Sequence, residues 1–497
     1  MSLIRSRESD LRRSRPRSSR PGPKATAEHY GLLATASDAI GGPADLPANA
    51  AWSALRGFPT HLVMLIGALG VALFAESRQS AGAYGVLATG MALGLVPTQK
   101  YWVRRRSGKL AILLTIGVIL GTLAVGADVA RILVAASRMA VVIVLILCVA
   151  LIRPALAELE LDHAVAAIAA RAPRSLRGCA ILLGVTIAGL GLSFGAVSVF
   201  GGSLQGRTDD DATAARAAMR GLALSMTLGP STASVAAVMA AYPHVGWGEA
   251  VLIGLPVALA GIVIGSIAAR RLTISAELTS ARVLIRAISA ILAVPAVAVF
   301  LRLIFGLSMT LAIATAAAIV AASLLTCATR AATKETRGDV RQMILRSDAQ
   351  LGEAWAQASA QTALFLACGL VLGFMREPVV AAFARAVFAF VPRGYPGLLV
   401  MMVGVPIVTT LGIHPMALFA ILAPVLTPSM LGMSEPSVFQ AWIVAIGLSM
   451  IVSPASILTV TTVLSFSVPA DRLCLRGNGL YAASLAVIAT CLFLILS

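Results

Sequence analysis

The stretch that decides the fold is "LSMTLGPSTASVAAVM", which runs from Leu224 to Met239. It lies in a long apolar segment, yet it carries several hydroxyl side chains and a Gly229–Pro230 step near its centre. Proline lacks the backbone N–H that a helix interior uses, and glycine destabilises a helix relative to alanine. The stretch therefore predicts an interrupted helix. At membrane depth such irregular backbone persists only where protein buries it or where it lines a cavity.

The composition of the whole chain places this stretch in a membrane. The 497 residues are 58% hydrophobic and only 12% charged, with a mean hydropathy of +0.90. Soluble domains carry far more charge and less apolar surface. The six cysteines form no CxxC pair and the five histidines form no HExxH pair. Neither a metal site nor a resident cofactor is therefore expected.

Much of the net charge of +17 lies in the first 24 residues, "MSLIRSRESDLRRSRPRSSRPGPK". An Arg-, Ser- and Pro-rich composition is typical of disordered segments. No apolar run follows before about Pro59, so this segment does not have the pattern of a signal peptide. We expect residues 1–50 to be a basic cytoplasmic tail that contacts membrane lipid rather than nucleic acid.

The apolar runs predict an all-α polytopic membrane protein with about 11 transmembrane helices and two re-entrant hairpins. The predicted spans are 60–75, 82–97, 110–126, 131–152, 178–200, 247–269, 283–305, 308–328, 358–375, 397–427 and 478–497. Two further apolar segments, 216–242 and 437–466, contain the Ser and Pro interruptions.

Basic loops indicate which ends of the spans face the cytoplasm. With the tail inside, the loop "KYWVRRRSGK" (100–109) and the Arg-containing segment 151–178 also fall inside, as the positive-inside rule requires. The acidic loop "GRTDDDATAAR" (206–216) then lies outside.

The same rule decides between two interpretations of 216–242. If this segment crosses the membrane, Arg270, Arg271 and the basic loop 330–346 end up outside. If it turns back at Gly229–Pro230, they all stay inside. We therefore expect a hairpin that enters from outside, with a proline-kinked crossing helix as the alternative.

The opening stretch has a counterpart later in the chain. "LSMTLGPSTAS" (224–234) resembles "LSMIVSPAS" (448–456), and upstream "APRSLRGCAILLGV" (172–185) resembles "VPRGYPGLLVMMVGV" (391–405) in the same order. The predicted topology makes the two units inverted repeats. Inverted repeats with broken segments at matching positions are typical of secondary transporters.

The predicted division of the chain follows from these repeats. Repeat 1 covers 110–269 with hairpin 216–242, and repeat 2 covers 308–497 with hairpin 437–466. Residues 51–109 add two N-terminal transmembrane helices, and 270–307 form a linking helix. A short segment before each PRxxxG turn, 155–172 and 377–391, is expected to be an interfacial helix or, alternatively, a loop helix.

The candidate binding residues are the hydroxyls, glycines and prolines at three breaks. They are Ser225, Thr227, Gly229, Pro230, Ser231, Thr232 and Ser234; Thr409, Thr410, Gly412 and His414 in "VTTLGIHPMALFAILAPVL"; and Ser449, Ser453, Pro454, Ser456 and Thr459. Hydroxyls and freed carbonyls can replace the hydration shell of a small cation, and helix N-termini attract anions. The alternative is that these small residues only permit close helix packing.

His414 is the one ionisable residue that the sequence places near the membrane centre. Ionisable residues at that depth are functional candidates by default. His414 could bind substrate, carry a proton or hydrogen-bond a freed carbonyl, and the sequence leaves these roles open.

The motifs "GPSTASVAAVMAAYPHVGWGEAVLIG" (229–254), "LGIHPMALFAILAPVLTPSM" (411–430) and "LSMIVSPAS" resemble the ion transporter superfamily over about residues 110–497. That group includes divalent-anion/sodium symporters and the large membrane subunits of tripartite periplasmic carboxylate transporters. The resemblance implies an elevator-type carrier that moves carboxylates with sodium. Sodium/dicarboxylate members carry Ser-Asn-Thr at the tips, whereas the only asparagines here are Asn49 and Asn478. Substrate and coupling ion therefore stay open.

The leading hypothesis is a secondary active transporter of a small, carboxylate-like organic anion in a bacterial inner membrane. Na⁺ or H⁺ would be the coupling ion. The N-terminus would be cytoplasmic and the C-terminus periplasmic. The alternatives are an exporter or cation/proton antiporter that uses His414, or a polytopic enzyme acting on a lipid-linked substrate. Possible partners are a second copy of the chain, a periplasmic binding protein and a small membrane subunit.

Overall fold

The computed structural model describes residues 59–78, 80–152, 169–206, 208–230, 232–270, 272–274, 281–332, 339–454 and 456–496. The predicted tail 1–50, the candidate residue Ser231 and most of segment 155–172 lie outside these ranges. The described part is all-α, with no strand and a single isolated antiparallel bridge between Thr208 and Ile274. Ten of its helices are long and apolar enough to cross a membrane, which agrees with a multi-pass membrane protein.

The first part of the chain forms five helices. These are α1 (Thr60–Arg78), α2 (Ala81–Leu95), α3 (Gln99–Trp102), α4 (Arg106–Val125) and α5 (Val129–Ala150). Gly126, with φ of 63°, ends α4, and the Asp128 carboxylate accepts the Ala130 N–H at the start of α5. These caps set the short connection between α4 and α5.

The next helices carry the opening stretch. They are α6 (Arg177–Leu192), α7 (Gly195–Leu204), α8 (Asp211–Leu228), α9 (Ala233–Ala241), α10 (Trp247–Ala268) and α11 (Ala281–Phe305). The break between α8 and α9 coincides with the Gly229–Pro230 step, as the sequence predicts.

The remaining helices complete the chain. They are α12 (Met309–Ala332), α13 (Asp339–Met375), α14 (Pro378–Val387), α15 (Tyr395–Thr410), α16 (Pro415–Leu422), α17 (Pro428–Leu431), α18 (Glu435–Val452), α19 (Ile457–Phe466), α20 (Ala470–Leu473) and α21 (Leu475–Leu496). Helix α14 lies in the segment 377–391 where a short helix is predicted. Its exposed Val379, Phe383 and Val387 recur every four residues, so they share one apolar face.

The helices pack in two groups. Helix α13 packs along α5 and α4 and contacts α1 and α2, and α12 packs on α5, so these six helices form the first group. Gly369 and Gly373 allow α13 to approach α5 closely, because a Cβ at either would lie 2.7–2.8 Å from a Cα of α5. Helices α6–α10 and α15–α21 form the second group. The groups meet where α9 packs on α5, where α16 packs on α13, and through α11, which packs on both α12 and α6.

Helices α6 and α7 form a helical hairpin. At the start of α6 the Arg177 guanidinium donates to the Ile274 carbonyl at 3.4 Å, and beyond α7 Thr208 bridges to the same Ile274. The two ends of the α6–α7 unit therefore meet at one end of the bundle. The tip between them is Ser193–Phe194, where Ser193 has a left-handed φ of 51°.

Residues 211–241 cross the bundle, so the expected hairpin at 216–242 is wrong. Asp209, just before α8, accepts the Thr273 N–H at 2.9 Å, so α8 begins where α10 ends. Helix α10 has 22 residues and is about 33 Å long, which places its start and the preceding end of α9 at the opposite end. The Gly229–Pro230 step interrupts the helix without reversing it. The reversal lies one element earlier, inside the predicted span 178–200.

In the second half, too, the predicted transmembrane span is a hairpin and the predicted hairpin is part of a crossing helix. At the start of α15 the Tyr395 hydroxyl donates to the Leu494 carbonyl at 3.5 Å, and a Cβ at Gly397 would lie 3.2 Å from Leu431, which follows α16. Both ends of the α15–α16 unit thus meet at one end of the bundle. The predicted span 397–427 is therefore a helical hairpin with its tip at Leu411–His414.

The segment 437–466, also expected to be a hairpin, is part of a crossing helix. Helix α21 has 22 residues, about 33 Å, and its Leu494 lies beside Tyr395 where the α15–α16 hairpin opens. Its start, and with it the end of α19, therefore lies at the other end. The break at Ser453–Ser456 interrupts this crossing as Gly229–Pro230 interrupts the first.

The loops and helix ends lie at two opposite ends of the bundle, called end A and end B. End A contains residues 174–178, 205–206, 208–211, 269–270, 272–274 and 466–477, and end B contains residues 241–247, 392–397, 428–435 and 494–496. The Gln205 amide donates to the Ser467 hydroxyl at 2.7 Å, which joins two of the end A segments. The α6–α7 hairpin opens at end A and the α15–α16 hairpin at end B. The acidic loop, expected opposite Arg174 and Arg177, lies at the same end as both.

Candidate functional site

The first polar cluster forms where the α6–α7 tip meets the α8–α9 break. A Cβ at Gly189 would lie 2.5 Å from the Ser225 hydroxyl, and a Cβ at Gly229 would lie 2.4 Å from a methyl of Leu190. Only glycine permits this contact between the hairpin and the broken helix. We call Gly189, Leu190, Ser225, Thr227 and Gly229 cluster 1.

The break itself is stabilised by local hydrogen bonds. The Gly229 N–H donates to the Ser225 carbonyl at 2.8 Å, which ends α8, and the Thr232 hydroxyl accepts the Val235 N–H at 3.3 Å, which starts α9. The buried Ser234 lies in the first turn of α9, and Pro230 is buried as well.

Gln440 of α18, which the sequence analysis missed, holds cluster 1 from the other side. Its amide donates to the carbonyls of Thr227 at 2.7 Å and Ala250 at 2.9 Å. It therefore joins α8, α10 and α18 at the edge of the first break. A glutamine inside an apolar helix is a sequence signal that could have identified it.

The second polar cluster forms where the α15–α16 tip meets the α18–α19 break. The Ser453 hydroxyl donates to the Thr409 carbonyl at 2.9 Å. Across the break, the Ser456 hydroxyl donates to the Met450 carbonyl at 2.6 Å, and the Thr459 hydroxyl donates to the Ser453 carbonyl at 2.8 Å. We call Thr409, Met450, Ser453, Ser456 and Thr459 cluster 2; all of them are buried.

His414 caps a helix at the same tip. Its Nδ1 accepts the Met416 N–H at 3.2 Å at the start of α16. An accepting Nδ1 carries no proton, so in this geometry the ring is neutral with its proton on Nε2. Gly412 has a left-handed φ of 93°, and the Thr410 hydroxyl donates to the Ile407 carbonyl of its own helix. Pro454 is exposed.

The candidate hydroxyls are already used as donors. Those of Ser225, Thr227, Thr409 and Ser449 donate to carbonyls of their own helices at 2.7 Å. A hydroxyl that donates its proton keeps oxygen lone pairs that can accept a hydrogen bond or coordinate a cation. The clusters therefore suit a small cation better than an anion.

The two breaks do not meet. Helices α8 and α18 run antiparallel, since Thr227 pairs with Gln440 while Gly447 packs near Ala223. The second break starts at Ser453, about 13 residues beyond Gln440, so the breaks lie roughly 20 Å apart along the helix axis. Each break instead meets the hairpin tip of its own half.

Arg220, buried one and a half turns before Ser225, was also missed. It is 6% exposed, donates to the Asn478 side-chain oxygen at 2.8 Å and to the Gly477 carbonyl at 3.2 Å, and lies 4.7 Å from the Tyr481 ring centre. Within the described ranges no carboxylate forms an ion pair with it. An arginine inside a predicted membrane segment was the signal to follow.

Asn478 connects this arginine to cluster 2. Its side-chain amide donates to the Leu473 carbonyl at 2.7 Å and to the Ile451 carbonyl at 3.5 Å, just before the second break. In the part of the chain that the structure describes, no group of three or more His, Cys, Asp or Glu side chains is arranged to hold a metal.

No protein-family model and no curated protein matches the chain. Among solved structures, the fold is similar to the crystal structure of the Alcanivorax borkumensis YdaH transporter, which is described as having an unusual topology. The match has a TM-score of 0.47 and 14% sequence identity, and covers 83% of this chain and 96% of that one.

Proposed function

We propose that the protein is a secondary active transporter of a small organic anion rather than an enzyme. The observation that carries this proposal is the pair of buried polar clusters, each formed by a broken crossing helix and the tip of a hairpin. Broken helices at such positions are a recurring way to build transporter binding sites. The element orders α6–α10 and α15–α21 support an inverted repeat, since the hairpins open at opposite ends.

The packing of the two helix groups supports alternating access of the elevator type. All the hairpin and broken-helix elements belong to one group, and the other group is an uninterrupted set of helices around α5 and α13. Arg376, directly after α13, donates to the Ala241 carbonyl at the end of α9 at 2.9 Å. This is a polar link between the groups that sliding would have to break.

The chemistry of the clusters supports a monovalent cation such as Na⁺ as the coupling ion. A hydroxyl oxygen that donates its proton can still coordinate a cation, and the described residues of both clusters carry no acidic group. The anion would be attracted by the N-termini of α9 and α19, which start at the two breaks, and by the buried positive charge of Arg220.

The distribution of arginines supports an orientation with end A in the cytoplasm. End A carries Arg174, Arg177, Arg270, Arg472 and Arg476. By the positive-inside rule the C-terminal end of α21, at end B, is then periplasmic, in a bacterial inner membrane. A second copy of the chain, a binding protein and a small membrane subunit stay predicted partners.

Uptake into proteoliposomes tests the proposal. The purified chain is reconstituted and offered radiolabelled mono-, di- and tricarboxylates with an inward Na⁺ gradient, an inward H⁺ gradient, or neither. We expect uptake of at least one anion that depends on one gradient. Proton-driven flux that His414→Ala abolishes would instead favour the antiporter alternative, and no gradient-dependent flux of any anion would overturn the proposal.

A further inference from the structure

A basic pocket lies at end A, apart from both clusters. Its cavity is about 430 Å³, and it is lined by Ala212, Arg216, Arg472, Arg476 and Gly477. The lining brings together the start of α8 and the junction of α20 and α21. Three guanidinium groups thus face one cavity large enough for a small ligand.

The arginines of this pocket are largely uncompensated. Arg472 and Arg476 are exposed, and within the described ranges neither has an ion pair or a side-chain hydrogen bond. Arg216 donates to the Thr213 hydroxyl at 2.7 Å, and its nearest carboxylate is Asp210 at 3.9 Å.

Asp209 and Asp211, which neighbour Asp210, face partners other than the arginines of the basic pocket. Asp209 accepts the Thr273 N–H, and Asp211 accepts the Thr208 hydroxyl and the Gly206 N–H. They line an adjoining cavity of about 480 Å³ that shares only Arg472 and Ala212 with the basic pocket. Among the residues that the structure describes, no acidic one lines the basic pocket itself.

The backbone beneath the pocket is built around these arginines. A Cβ at Gly477 would lie 2.1 Å from the Arg472 carbonyl oxygen and 2.9 Å from Arg216 Cδ, so glycine lets the chain pass between them. Arg220, one turn further along α8, donates to the Gly477 carbonyl and adds a buried positive charge below the pocket floor.

We propose that this pocket binds a phosphate-bearing anion. Arginine forks pair with phosphate oxygens in a bidentate manner, and three forks around one cavity match a group with several charged oxygens. The ligand could be the headgroup of an anionic phospholipid in the adjoining leaflet or a free phosphate compound. The site is independent of the transport proposal, because it includes no residue of cluster 1 or cluster 2.

The test uses the full-length protein in two arms. In the lipid arm, nanodiscs contain phosphatidylglycerol with phosphatidylcholine, and native mass spectrometry counts the phosphatidylglycerol retained per protein. In the soluble arm, nanodiscs contain phosphatidylcholine alone, and glycerol phosphate is titrated while thermal unfolding is followed. Arg472→Gln/Arg476→Gln removes two of the three forks, and Arg393→Gln at end B is the matched control for loss of an exposed arginine.

A lipid headgroup site is supported if the double variant retains at least about tenfold less phosphatidylglycerol than the wild type while the control retains as much. A tenfold change in affinity equals about 1.4 kcal/mol. A glycerol phosphate-dependent rise in unfolding temperature lost only in the double variant supports a soluble ligand. Arg472→Lys/Arg476→Lys keeps both positive charges but removes the bidentate guanidinium geometry, so it distinguishes the contribution of charge from that of geometry. Its thermal unfolding also tests whether the surface tolerates substitution. Equal behaviour of wild type and the folded double variant in both arms would overturn the proposal.

Discussion

The Ser453 hydroxyl donates a 2.9 Å hydrogen bond to the Thr409 carbonyl, which ties the second broken helix directly to the tip of the second hairpin. Both groups are buried, so neither has water as a replacement partner. An unsatisfied buried carbonyl costs about 1–3 kcal/mol. This contact makes the hairpin tip and the break one structural unit.

Replacing Ser453 with alanine is therefore expected to lower the unfolding temperature and to weaken stabilisation by the coupling ion. The matched control is Ser266→Ala, because the Ser266 hydroxyl donates to the Ile262 carbonyl of its own helix, outside both clusters. Thermal unfolding in detergent, with Na⁺ and with choline, measures both effects. Equal losses for the two variants would show that the Ser453 contact has no special role.

Gly254→Ala is expected to disturb cluster 1 from the side of α10. A Cβ at Gly254 would lie 1.8 Å from the Gln440 amide nitrogen and 2.6 Å from the Thr227 carbonyl oxygen. Gln440 would have to release its two carbonyl partners, and such overpacking costs about 1–3 kcal/mol. The control is Gly248→Ala in the same helix, where a Cβ meets nothing within 4 Å.

Thermal unfolding and transport of the two glycine variants provide the measurement. In a Gln440→Ala background, Gly254→Ala is expected to cost less than it does alone, because the colliding amide is gone. Additive losses would mean that the collision with Gln440 is not what destabilises the variant.

The position of the acidic loop at end A gives a test of topology. In a cysteine-free background, a membrane-impermeant maleimide is expected to label His244→Cys in intact cells, since His244 is exposed at end B. Gln205→Cys and Arg174→Cys are expected to react only after permeabilisation. Labelling of Gln205→Cys in intact cells while Arg174→Cys stays protected would restore a loop on the outside and contradict the α6–α7 hairpin.

The sequence predicted the helices and the polar breaks because apolar runs and Gly-Pro steps are local features. It could not locate the hairpins. The runs 178–200 and 216–242 are both about one membrane span long, and the reversal at Ser193–Phe194 has no proline and is not distinguished by its flanking glycines, since glycines recur along the whole run. Moving the hairpin one element earlier also leaves Arg270 at the same end, so loop charges alone could not distinguish the two arrangements.

The contacts between site residues could not be predicted from local sequence patterns either. Thr409 and Ser453 are 44 residues apart, and Gln440 and Thr227 are 213 apart. Their contacts depend on how four helices cross. By contrast, arginine and asparagine are rare in apolar runs, so Arg220 and Asn478 could have been identified from the sequence.

Asp209 provides a pH-dependent contact at end A. The hydrogen bond from the Thr273 N–H lowers the pKa of its carboxyl below the usual value of 3.8. A lowered folded pKa means that the contact contributes fully above that usual value and is lost as the pH falls through the lower folded one. We therefore expect no change in protection of the Thr273 amide between about pH 5 and 8, and loss of protection below about pH 3.8.

Hydrogen exchange of a peptide containing Thr273, corrected for the intrinsic rate at each pH, measures this protection. Asp209→Ala is expected to remove the protection at every pH, whereas Asp471→Ala, another acidic side chain at end A, is expected to leave it unchanged. Protection that titrates near neutral pH would mean that a different group controls the contact.

The buried pair of Arg220 and Asn478 predicts a reversal of sign in a double variant. Asn478→Leu leaves the buried guanidinium without its side-chain acceptor, and a hydrogen bond to a charged group contributes about 1.5–3 kcal/mol. Arg220→Met removes the charge itself, so we expect it to cost less. In the Asn478→Leu background, Arg220→Met is expected to raise the unfolding temperature, because it removes the buried guanidinium that has lost its side-chain acceptor.

Arg393→Met at end B is the control and is expected to change the free energy of unfolding by less than about 0.5 kcal/mol. If Arg220→Met lowers stability equally in both backgrounds, Asn478 does not compensate the Arg220 charge.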